Sequence, residues 1–313
     1  MQTRVKTNLY PRLAALFLSL ALASSCVTFN PAERAVANDG LRMAESQKPR
    51  YPIFLVHGIG WRSETKLNGL RYWDGVTPIL DALGVQYCVS SQGAYGLIED
   101  NAATLKEDLE RWFAAHPEVE KVNIVAHSRG GLESRYLVSC MGMEDRVASL
   151  TLLSVPNRGS PVATRLLRSV KSQNNVVAMG VDAHGRMQGD LDPRSYLAAR
   201  QLTEEYLAEF NERVPDSPRV YYQSFSGRIS PKYPDIVLSM CCAEIEKTEG
   251  ENDGYVSAKS AAWGTYRGLP LGETRPIVSH QRLAGQYGLD ANGTYDASPF
   301  IVWLVSDLAK MGF

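Results

Sequence analysis

The sequence predicts an α/β protein built on a mostly parallel sheet, and three observations support that prediction. Short apolar runs of strand length alternate along the chain with segments of helical periodicity. The strand-like runs are apolar throughout, which is typical of parallel strands covered by helices on both faces. No stretch rich in Pro, Gly or Ser divides the chain after residue 50. We therefore expect one α/β domain over residues 51–313.

The elements follow in order from the start of this domain. Apolar runs predict buried strands, and apolar residues spaced three and four apart predict helices. The predicted strands are Tyr51–Val56, Val122–Val125, Ala148–Val155 and Val220–Ser226. The predicted helices are Asn101–His116, the segment of Leu132, Tyr136 and Cys140, the segment from Leu202 to Val214, and Phe300–Leu308.

Composition and charge exclude several classes of protein. The 313 residues are 44% hydrophobic and 21% charged, which is ordinary for a globular protein with a sizeable core. These values exclude a disordered chain, a coiled coil and a multi-span membrane protein. The 33 basic and 34 acidic residues give a net charge of −1. Because there is no basic surplus, we expect no nucleic-acid partner.

The N-terminal residues 1–25 are predicted to be a signal peptide. Three basic residues precede the apolar stretch Leu13–Ala23, in which Ser19 is the one polar residue and which is shorter than the roughly 20 residues of a membrane-spanning helix. The small residues before Cys26 resemble a bacterial lipobox, in which that cysteine is lipidated and attaches the protein to a membrane. Simple cleavage and secretion is the alternative. We expect an exported protein, either an outer-membrane or cell-surface lipoprotein or a secreted one, with a polar lead-in over 26–50.

Four further cysteines fall inside the predicted domain. An oxidising compartment permits disulfides, but four cysteines allow three pairings and the sequence does not choose among them. Cys140 lies on an apolar helix face, where a buried thiol is the alternative. Neither a CxxC spacing nor a nearby His pair indicates a zinc site. These cysteines are Cys88, Cys140, Cys241 and Cys242.

Ser128 has the setting of a catalytic nucleophile. It lies between the predicted strand Val122–Val125 and the helix that follows. Ala126 and Gly130 supply the small residues of a G-x-S-x-G turn, because larger side chains would collide where a strand turns so sharply into a helix. The turn presents the hydroxyl at the helix N-terminus, where partial positive charge favours a developing anion. This pattern indicates serine-hydrolase chemistry.

The base and the acid are predicted from chain order and context. His280 follows the strand-like pair Ile277-Val278 and is the last of five histidines, as the α/β-hydrolase order of Ser, acid and His requires. The acid is expected on a loop between the serine and this histidine. Asp253, in an Asn-Asp-Gly turn, fits this setting, and Asp235 is its main rival. Five other aspartates lie nearer to helical or polar segments: Asp145, Asp182, Asp190, Asp192 and Asp216.

Two main-chain N–H groups are predicted to form an oxyanion hole. Arg129 follows the nucleophile directly, and Ile59 lies in the glycine-containing loop after the first predicted strand. Each would act through its main chain, and losing one such donor typically costs ~10²–10³ in rate.

Four segments together resemble the bacterial true lipases of the Pseudomonas and Burkholderia type. They read FLVHGIG, VNIVAHSRGGLESRY, VASLTLLSVPNRGSP, and NDGYVS followed later by SH. The resemblance runs from about Tyr51 to about His280. It implies the α/β-hydrolase fold and the hydrolysis of triacylglycerols and other long-chain carboxylic esters. It also implies Asp253 as the acid and Ile59 as an oxyanion residue.

Three positions depart from the pattern of that family. Ala126 replaces the usual glycine and still fits the turn. Arg129 replaces the usual Gln or Met, so we expect a cation beside the site. Arg282 stands where the family has an aspartate that binds structural calcium, and calcium prefers carboxylate ligands. We therefore expect no calcium and no other cofactor, with an ion pair of Arg282 in its place, for which Asp235 is a candidate partner.

The lid of that family corresponds here to residues of about 161–192. Cations and amides interrupt its apolar residues, so we expect a narrow apolar face, as in an esterase of more soluble esters. An ordinary surface excursion is the alternative.

The expected function is the hydrolysis of lipid or other esters through Ser128, Asp253 and His280, with the substrate met at a lipid–water interface. Two alternatives stay open: a lipid acyltransferase that uses the same residues, and a non-catalytic lipid-binding surface lipoprotein.

Overall fold

The strands form two sheets in the computed structural model, which describes residues 44, 47–66, 71–286 and 295–313. The strands are β1 (Ile53–Val56), β2 (Tyr87–Val89), β3 (Val122–His127), β4 (Val147–Leu153), β5 (Tyr221–Phe225), β6 (Arg228–Ile229), β7 (Thr265–Tyr266) and β8 (Ile277–Val278). Six of them form a parallel sheet in the order β2-β1-β3-β4-β5-β7. The short strands β6 and β8 pair antiparallel.

Helices connect these strands and cover the large sheet. They are α1 (Thr77–Leu83), α2 (Ile98–Ala115), α3 (Gly130–Cys140), α4 (Pro161–Ser169), α5 (Val176–Met187), α6 (Ser195–Arg200), α7 (Glu204–Arg213), α8 (Ile236–Glu246), α9 (Ala258–Ala261), α10 (His280–Leu283) and α11 (Ser298–Lys310). A 3₁₀ turn spans Pro270–Gly272.

The strand order reverses between β1 and β3. The chain runs from β1 outward to the edge strand β2 and then returns to the other side of β1 as β3. Ligands of open α/β sheets bind beyond the carboxyl ends of the strands at such a switch point. The loops after Val56 and His127 therefore meet where a site is expected.

Two apolar clusters lie on opposite faces of the sheet, because successive strand residues point to opposite sides. Ile53 and Leu55 of β1 face one cluster, which includes α1 and α11. Phe54 and Val56 face the other, which includes α2, α3 and α7. Both faces of the strands are therefore covered, as their continuous apolar sequences predict.

The predicted fold class and its main strands are confirmed, with small shifts at the element ends. The helix predicted from Asn101 begins at Ile98, and the strand predicted at Val122–Val125 extends to His127. The predicted signal peptide and Cys26 lie outside the described residues. Within the described part of the chain, no helix is long and apolar enough to cross a membrane.

The four described cysteines are free thiols in the structure, so no disulfide joins any two of them. The interpretation of Cys140 as a buried thiol is wrong, because its side chain is exposed at the end of α3. Cys241 and Cys242 are the buried pair, on α8.

Candidate active site

Ser128 occupies a strained turn between β3 and α3, at φ = 54°. Such a φ is uncommon outside glycine and is maintained only where the surroundings impose it. A Cβ atom on Gly130 would lie 2.2 Å from the main-chain oxygen of His57, and one on Gly131 would lie 2.2 Å from Val155. Small residues after the serine are thus required by the close approach of the β1 loop and of β4, as well as by the turn.

A chain of hydrogen bonds joins Ser128 to His280 and Asp253. The Ser128 Oγ atom lies 2.9 Å from His280 Nε2, and His280 Nδ1 lies 2.7 Å from Asp253 Oδ2. An ionised carboxylate only accepts hydrogen bonds, so the imidazole donates from Nδ1 and its Nε2 accepts from the serine hydroxyl. This is the geometry of an activated nucleophile, a base and an orienting acid.

Asp253 is fully buried, and its surroundings favour the ionised form. Its Oδ1 atom accepts from the main-chain N–H groups of Tyr255 and Val256, at 2.9 and 2.7 Å. Burial by itself would raise the pKa of Asp253, but His280, the Ser154 hydroxyl and the Tyr255 N–H bring that pKa below its usual value. The carboxylate is therefore charged where it holds the imidazole.

The predicted oxyanion donors lie on either side of the serine. The loop after β1 approaches so closely that a Cβ on Gly58 would lie 2.8 Å from the Ser128 Cβ. Among the hydrogen bonds of the described residues, the N–H groups of Ile59 and Arg129 have no acceptor. Arg129 lies at the N-terminus of α3, whose partial positive charge favours an anion there. Both N–H groups are thus available to a developing oxyanion.

An apolar cavity of about 280 Å³ opens beside Ser128 and His280. Helices α4 and α5 of the predicted lid region cover it, together with α6. The side chains that line it from the lid region include Val162, Leu166, Leu167, Val177 and Val181. The outer side of the same region exposes Val176, Met179, Met187 and Leu191. Apolar side chains therefore lie on both sides of the region, and on the outer side Arg168, Lys171 and Arg186 are exposed among them. The narrow apolar face stays a prediction.

Comparison with known proteins agrees with this geometry. A scan against models of protein families finds no match. Triacylglycerol lipase 2 of Saccharomyces cerevisiae is 30% identical over 261 residues, which are 80% of this chain and 76% of the yeast protein. The chain belongs to the triacylglycerol lipase family. It is therefore a carboxylic ester hydrolase.

Further relatives and solved structures agree with this assignment. The triacylglycerol lipase of Vibrio cholerae is 31% identical over 213 residues, so the match spans 64% of each chain. A metagenomic carboxyl esterase superposes with a TM-score of 0.65 at 19% identity, over 87% of this chain and 78% of its own. A Bacillus licheniformis lipase in its mature form superposes with a TM-score of 0.57 at 20% identity, over 80% of this chain and 91% of its own. At such identities the structures establish the α/β-hydrolase fold.

The side chain of Arg129 does not place a cation in the site, which corrects the sequence interpretation. It is fully buried behind the nucleophile, where it donates to the main-chain oxygen of Gly96 and lies 3.3 Å from Glu133. Burial raises the pKa of Glu133 to about 7, although Arg129 and two amide donors, Asn101 and Gln92, oppose that shift. The Arg129 side chain thus packs behind the serine, against Glu133 of α3, and does not line the cavity.

The expected ion pair between Arg282 and Asp235 is also absent among the described residues. Asp235 caps α8 by accepting from the Leu238 N–H at 2.9 Å. Arg282 is buried and donates to the main-chain oxygen of Tyr295 at 3.1 Å. Asp235 therefore stabilises the start of α8, and Arg282 binds the main chain at Tyr295.

Sequence reasoning missed two polar residues of the site. Ser154 directly follows β4 at φ = 47°. Its hydroxyl oxygen accepts from the Gly227 N–H at 3.1 Å, and the hydroxyl donates to the Asp253 carboxylate. The strand predicted over Ala148–Val155 placed Ser154 inside the strand, whereas β4 ends at Leu153 and leaves Ser154 at the carboxyl end of the sheet. Tyr72 lies in no predicted element, and no sequence pattern relates it to the other site residues.

Proposed function

We propose that this protein hydrolyses acylglycerols and related carboxylic esters, with Ser128 as nucleophile, His280 as base and Asp253 as the acid. The observation that carries the proposal is the hydrogen-bonded Ser128–His280–Asp253 chain at the wall of an apolar cavity. An apolar cavity with few convergent polar groups suits an acyl chain whose carbonyl must reach the serine.

The first half of the reaction is acylation. Ser128 Oγ attacks the ester carbonyl carbon while His280 Nε2 takes the hydroxyl proton. The carbonyl oxygen becomes an oxyanion that accepts from the N–H groups of Ile59 and Arg129. His280 then gives its proton to the leaving alkoxide, the ester C–O bond breaks, and the alcohol departs from an acyl-serine.

The second half is deacylation by water. His280 removes a proton from a water molecule, whose oxygen attacks the acyl-serine carbonyl through the same oxyanion site. The proton returns to Ser128 Oγ, and the carboxylic acid leaves. Through both halves, the Asp253 carboxylate holds the imidazole in the required tautomer and stabilises it when it is charged.

The lining of the cavity supports acyl chains longer than acetyl as substrates. Its lid-side walls are aliphatic, and each buried methylene of a substrate contributes about 0.8 kcal/mol to binding. The names of the yeast and Vibrio relatives, both triacylglycerol lipases, support the same substrate class.

Hydrolysis of p-nitrophenyl esters from acetyl to palmitoyl, by wild type beside Ser128→Ala, tests the proposal. We expect activity that rises beyond the acetyl ester and falls by ~10³-fold or more in the variant. Equal activity of the two proteins would exclude Ser128 as nucleophile. Activity on the acetyl ester alone would change the substrate class to short-chain esters, and acyl transfer to an added alcohol in preference to water would make the enzyme an acyltransferase.

We propose further that the protein is exported and attached to a membrane through lipidated Cys26. The basic and apolar segments that precede this residue support the proposal. Metabolic labelling with palmitate that disappears in Cys26→Ala would agree with it, and an unlabelled, cleaved wild type would indicate secretion instead.

We also propose that the fold holds no structural calcium. The residues described at the expected ligand position do not fit that ion, because Arg282 is a cation that already binds the Tyr295 carbonyl. EDTA should leave the melting temperature unchanged; a decrease that added calcium reverses would contradict this.

A further inference from the structure

The hydroxyl of Tyr72 lies between the oxyanion loop and the residue before the nucleophile. It accepts from the Gly58 N–H at 2.9 Å and lies 2.5 Å from His127 Nδ1. A main-chain N–H can only donate, so the phenolic oxygen accepts from Gly58 and its single hydrogen is left for a second partner. Burial raises the pKa of Tyr72, so that the phenol keeps this hydrogen.

His127 continues the chain of hydrogen bonds to His280. The main-chain oxygen of His280 can only accept, so His127 Nε2 carries the hydrogen and donates to it at 3.0 Å. The Nδ1 atom of the neutral ring therefore accepts the Tyr72 hydrogen. The rings of His127 and His280 also pack with their centroids 4.6 Å apart. Burial lowers the pKa of His127, so this neutral tautomer persists. The chain thus runs from Gly58 through Tyr72 and His127 to His280.

At the Gly58 end, these hydrogen bonds fix the peptide group that carries the Ile59 N–H of the predicted oxyanion hole. His57 Nδ1 lies 2.7 Å from the Gly58 oxygen, and His57 Nε2 lies 3.2 Å from the Gln92 oxygen. The neutral ring has one N–H, and we assign it to Nδ1, which makes the shorter contact. Since Tyr72 holds the Gly58 N–H, both main-chain groups of Gly58 are fixed. The Gly58–Ile59 peptide is trans, so its N–H points opposite to the held carbonyl. The direction of the Ile59 N–H is therefore set by Tyr72 and His57.

We propose that Tyr72 and His127 are positioning residues. They keep the oxyanion N–H of Ile59 aligned with the catalytic base, the imidazole of His280. Oxyanion stabilisation depends on donors that are already aimed at the developing charge, and small displacements can cost ~10²-fold in rate. This inference rests on the proposed function. Tyr72 and His127 act through Gly58 and through the main chain of His280, and neither exchanges a proton with the substrate.

The first test is Tyr72→Phe, measured as kcat per active site, with sites counted by the burst from a p-nitrophenyl alkylphosphonate. We expect kcat per site to fall by about 10–10²-fold with KM within about twofold. The control is Tyr222→Phe, because Tyr222 is also buried and accepts a main-chain N–H, that of Ser217 at 3.1 Å, but lies on β5 away from the site. The control should keep the wild-type kcat per site.

The second test is a pair of substitutions at His127, which also gives the answer if Tyr72→Phe does not fold. Gln offers one acceptor and one donor, as the neutral histidine does, whereas Met has similar length and offers no donor. We expect His127→Gln to stay within about fivefold of wild type and His127→Met to match Tyr72→Phe. The double variant Tyr72→Phe/His127→Met should be no slower than the slower single variant, since both break one chain.

The outcomes are distinguishable. An unchanged kcat per site in Tyr72→Phe, with only a lower melting temperature or fewer titrated sites, would show a packing role and overturn the inference. Equal losses in His127→Gln and His127→Met would also overturn it. A wild type that neither binds the phosphonate nor cleaves esters would overturn the proposed function, and the inference with it.

Discussion

The nucleophile turn and the lid region are built in different ways. Around Ser128, the polar groups are buried and held by one another: Arg129 lies against Glu133, which also accepts from Asn101 at 2.7 Å and from Gln92 at 3.2 Å. The lid region combines buried contacts, such as the Tyr95 N–H that donates to Asp190 at 2.7 Å, with partly exposed ones. Arg165 of α4 pairs with Glu244 of α8, and Gln188 donates to the Gly60 oxygen at 3.0 Å. Leu191, in contrast, is 98% exposed.

This difference follows what each region has to do. Groups that stabilise a transition state need fixed positions, which dense packing and buried hydrogen bonds provide. On the proposed function, a cover over the apolar cavity has to let substrate enter, and segments that move are drawn from the less stable parts of a fold. We therefore expect equivalent substitutions to cost far more at the turn than in the lid region.

The largest effect on activity is expected from Gly130→Ala at the turn. Its Cβ would lie 2.2 Å from the main-chain oxygen of His57, which cannot move without displacing the oxyanion loop. We expect kcat to fall by ~10²-fold or more and unfolding to become easier by about 3 kcal/mol. Steady-state kinetics and thermal unfolding measure both effects.

Gly189→Ala in the lid region is the matched control. This glycine has φ = 82°, and its added Cβ would lie 2.9 Å from Nη1 of the long Arg62 side chain, which can shift more easily than a main-chain atom. We expect the free energy of unfolding to fall by about 1–2 kcal/mol, because alanine is strained in a left-handed backbone, and kcat to stay near normal. Similar losses in the two variants would contradict the comparison.

The largest effect on stability alone is expected from Glu133→Ala. Its removal leaves the Arg129 guanidinium buried without its carboxylate, which typically costs about 3–5 kcal/mol of unfolding free energy. Glu244→Ala removes the carboxylate of the partly exposed lid pair with Arg165, and about 0–1 kcal/mol is expected there. Urea unfolding of both variants measures the difference, and equal costs would show that burial does not distinguish the two pairs.

The sequence predicted the turn better than the lid region, for a physical reason. Ser128 and Gly130 are close in the chain, so local backbone geometry alone makes their pattern recognisable. The direction of the Arg129 side chain depends on Glu133 and Gly96, which tertiary packing brings to it. Tyr72 reaches His127 across 55 residues of chain, and no local period predicts such a contact.

The lid region shows the same limit on a larger scale. Its charged and amide residues suggested a narrow apolar face, because composition gives no side-chain direction. In the structure, Gln173 and Asp182 bond to each other, and Arg165 bonds to α8, so these polar groups leave the inner apolar side free. Which residues of an interrupted pattern pair with one another is decided by the folded arrangement.

The smallest effect that still separates the two regions is a dependence of stability on pH. Burial lowers the pKa of His57 to about 4, from an ordinary 6.5. As the pH falls from 6.5 towards 4, the unfolded chain takes up a proton at this residue and the folded protein does not, so stability is lost. The loss from His57 alone is about 2 kcal/mol between about pH 7 and pH 5. His127, whose pKa burial also lowers, adds to it in the same direction.

The measurement is the slope of the unfolding free energy against pH in this window, for His57→Gln and His184→Gln beside wild type. We expect His57→Gln to have the shallower slope, whatever its absolute stability, because one of the neutral buried imidazoles is gone. His184 lies half-buried on α5, and burial lowers its pKa as well. Because water still reaches this side chain, its replacement should change the slope less than that of His57. Equal changes in the two slopes would mean that His184 is as inaccessible to protons in the folded protein as His57. The difference between the two regions would then hold for packing but not for histidine titration.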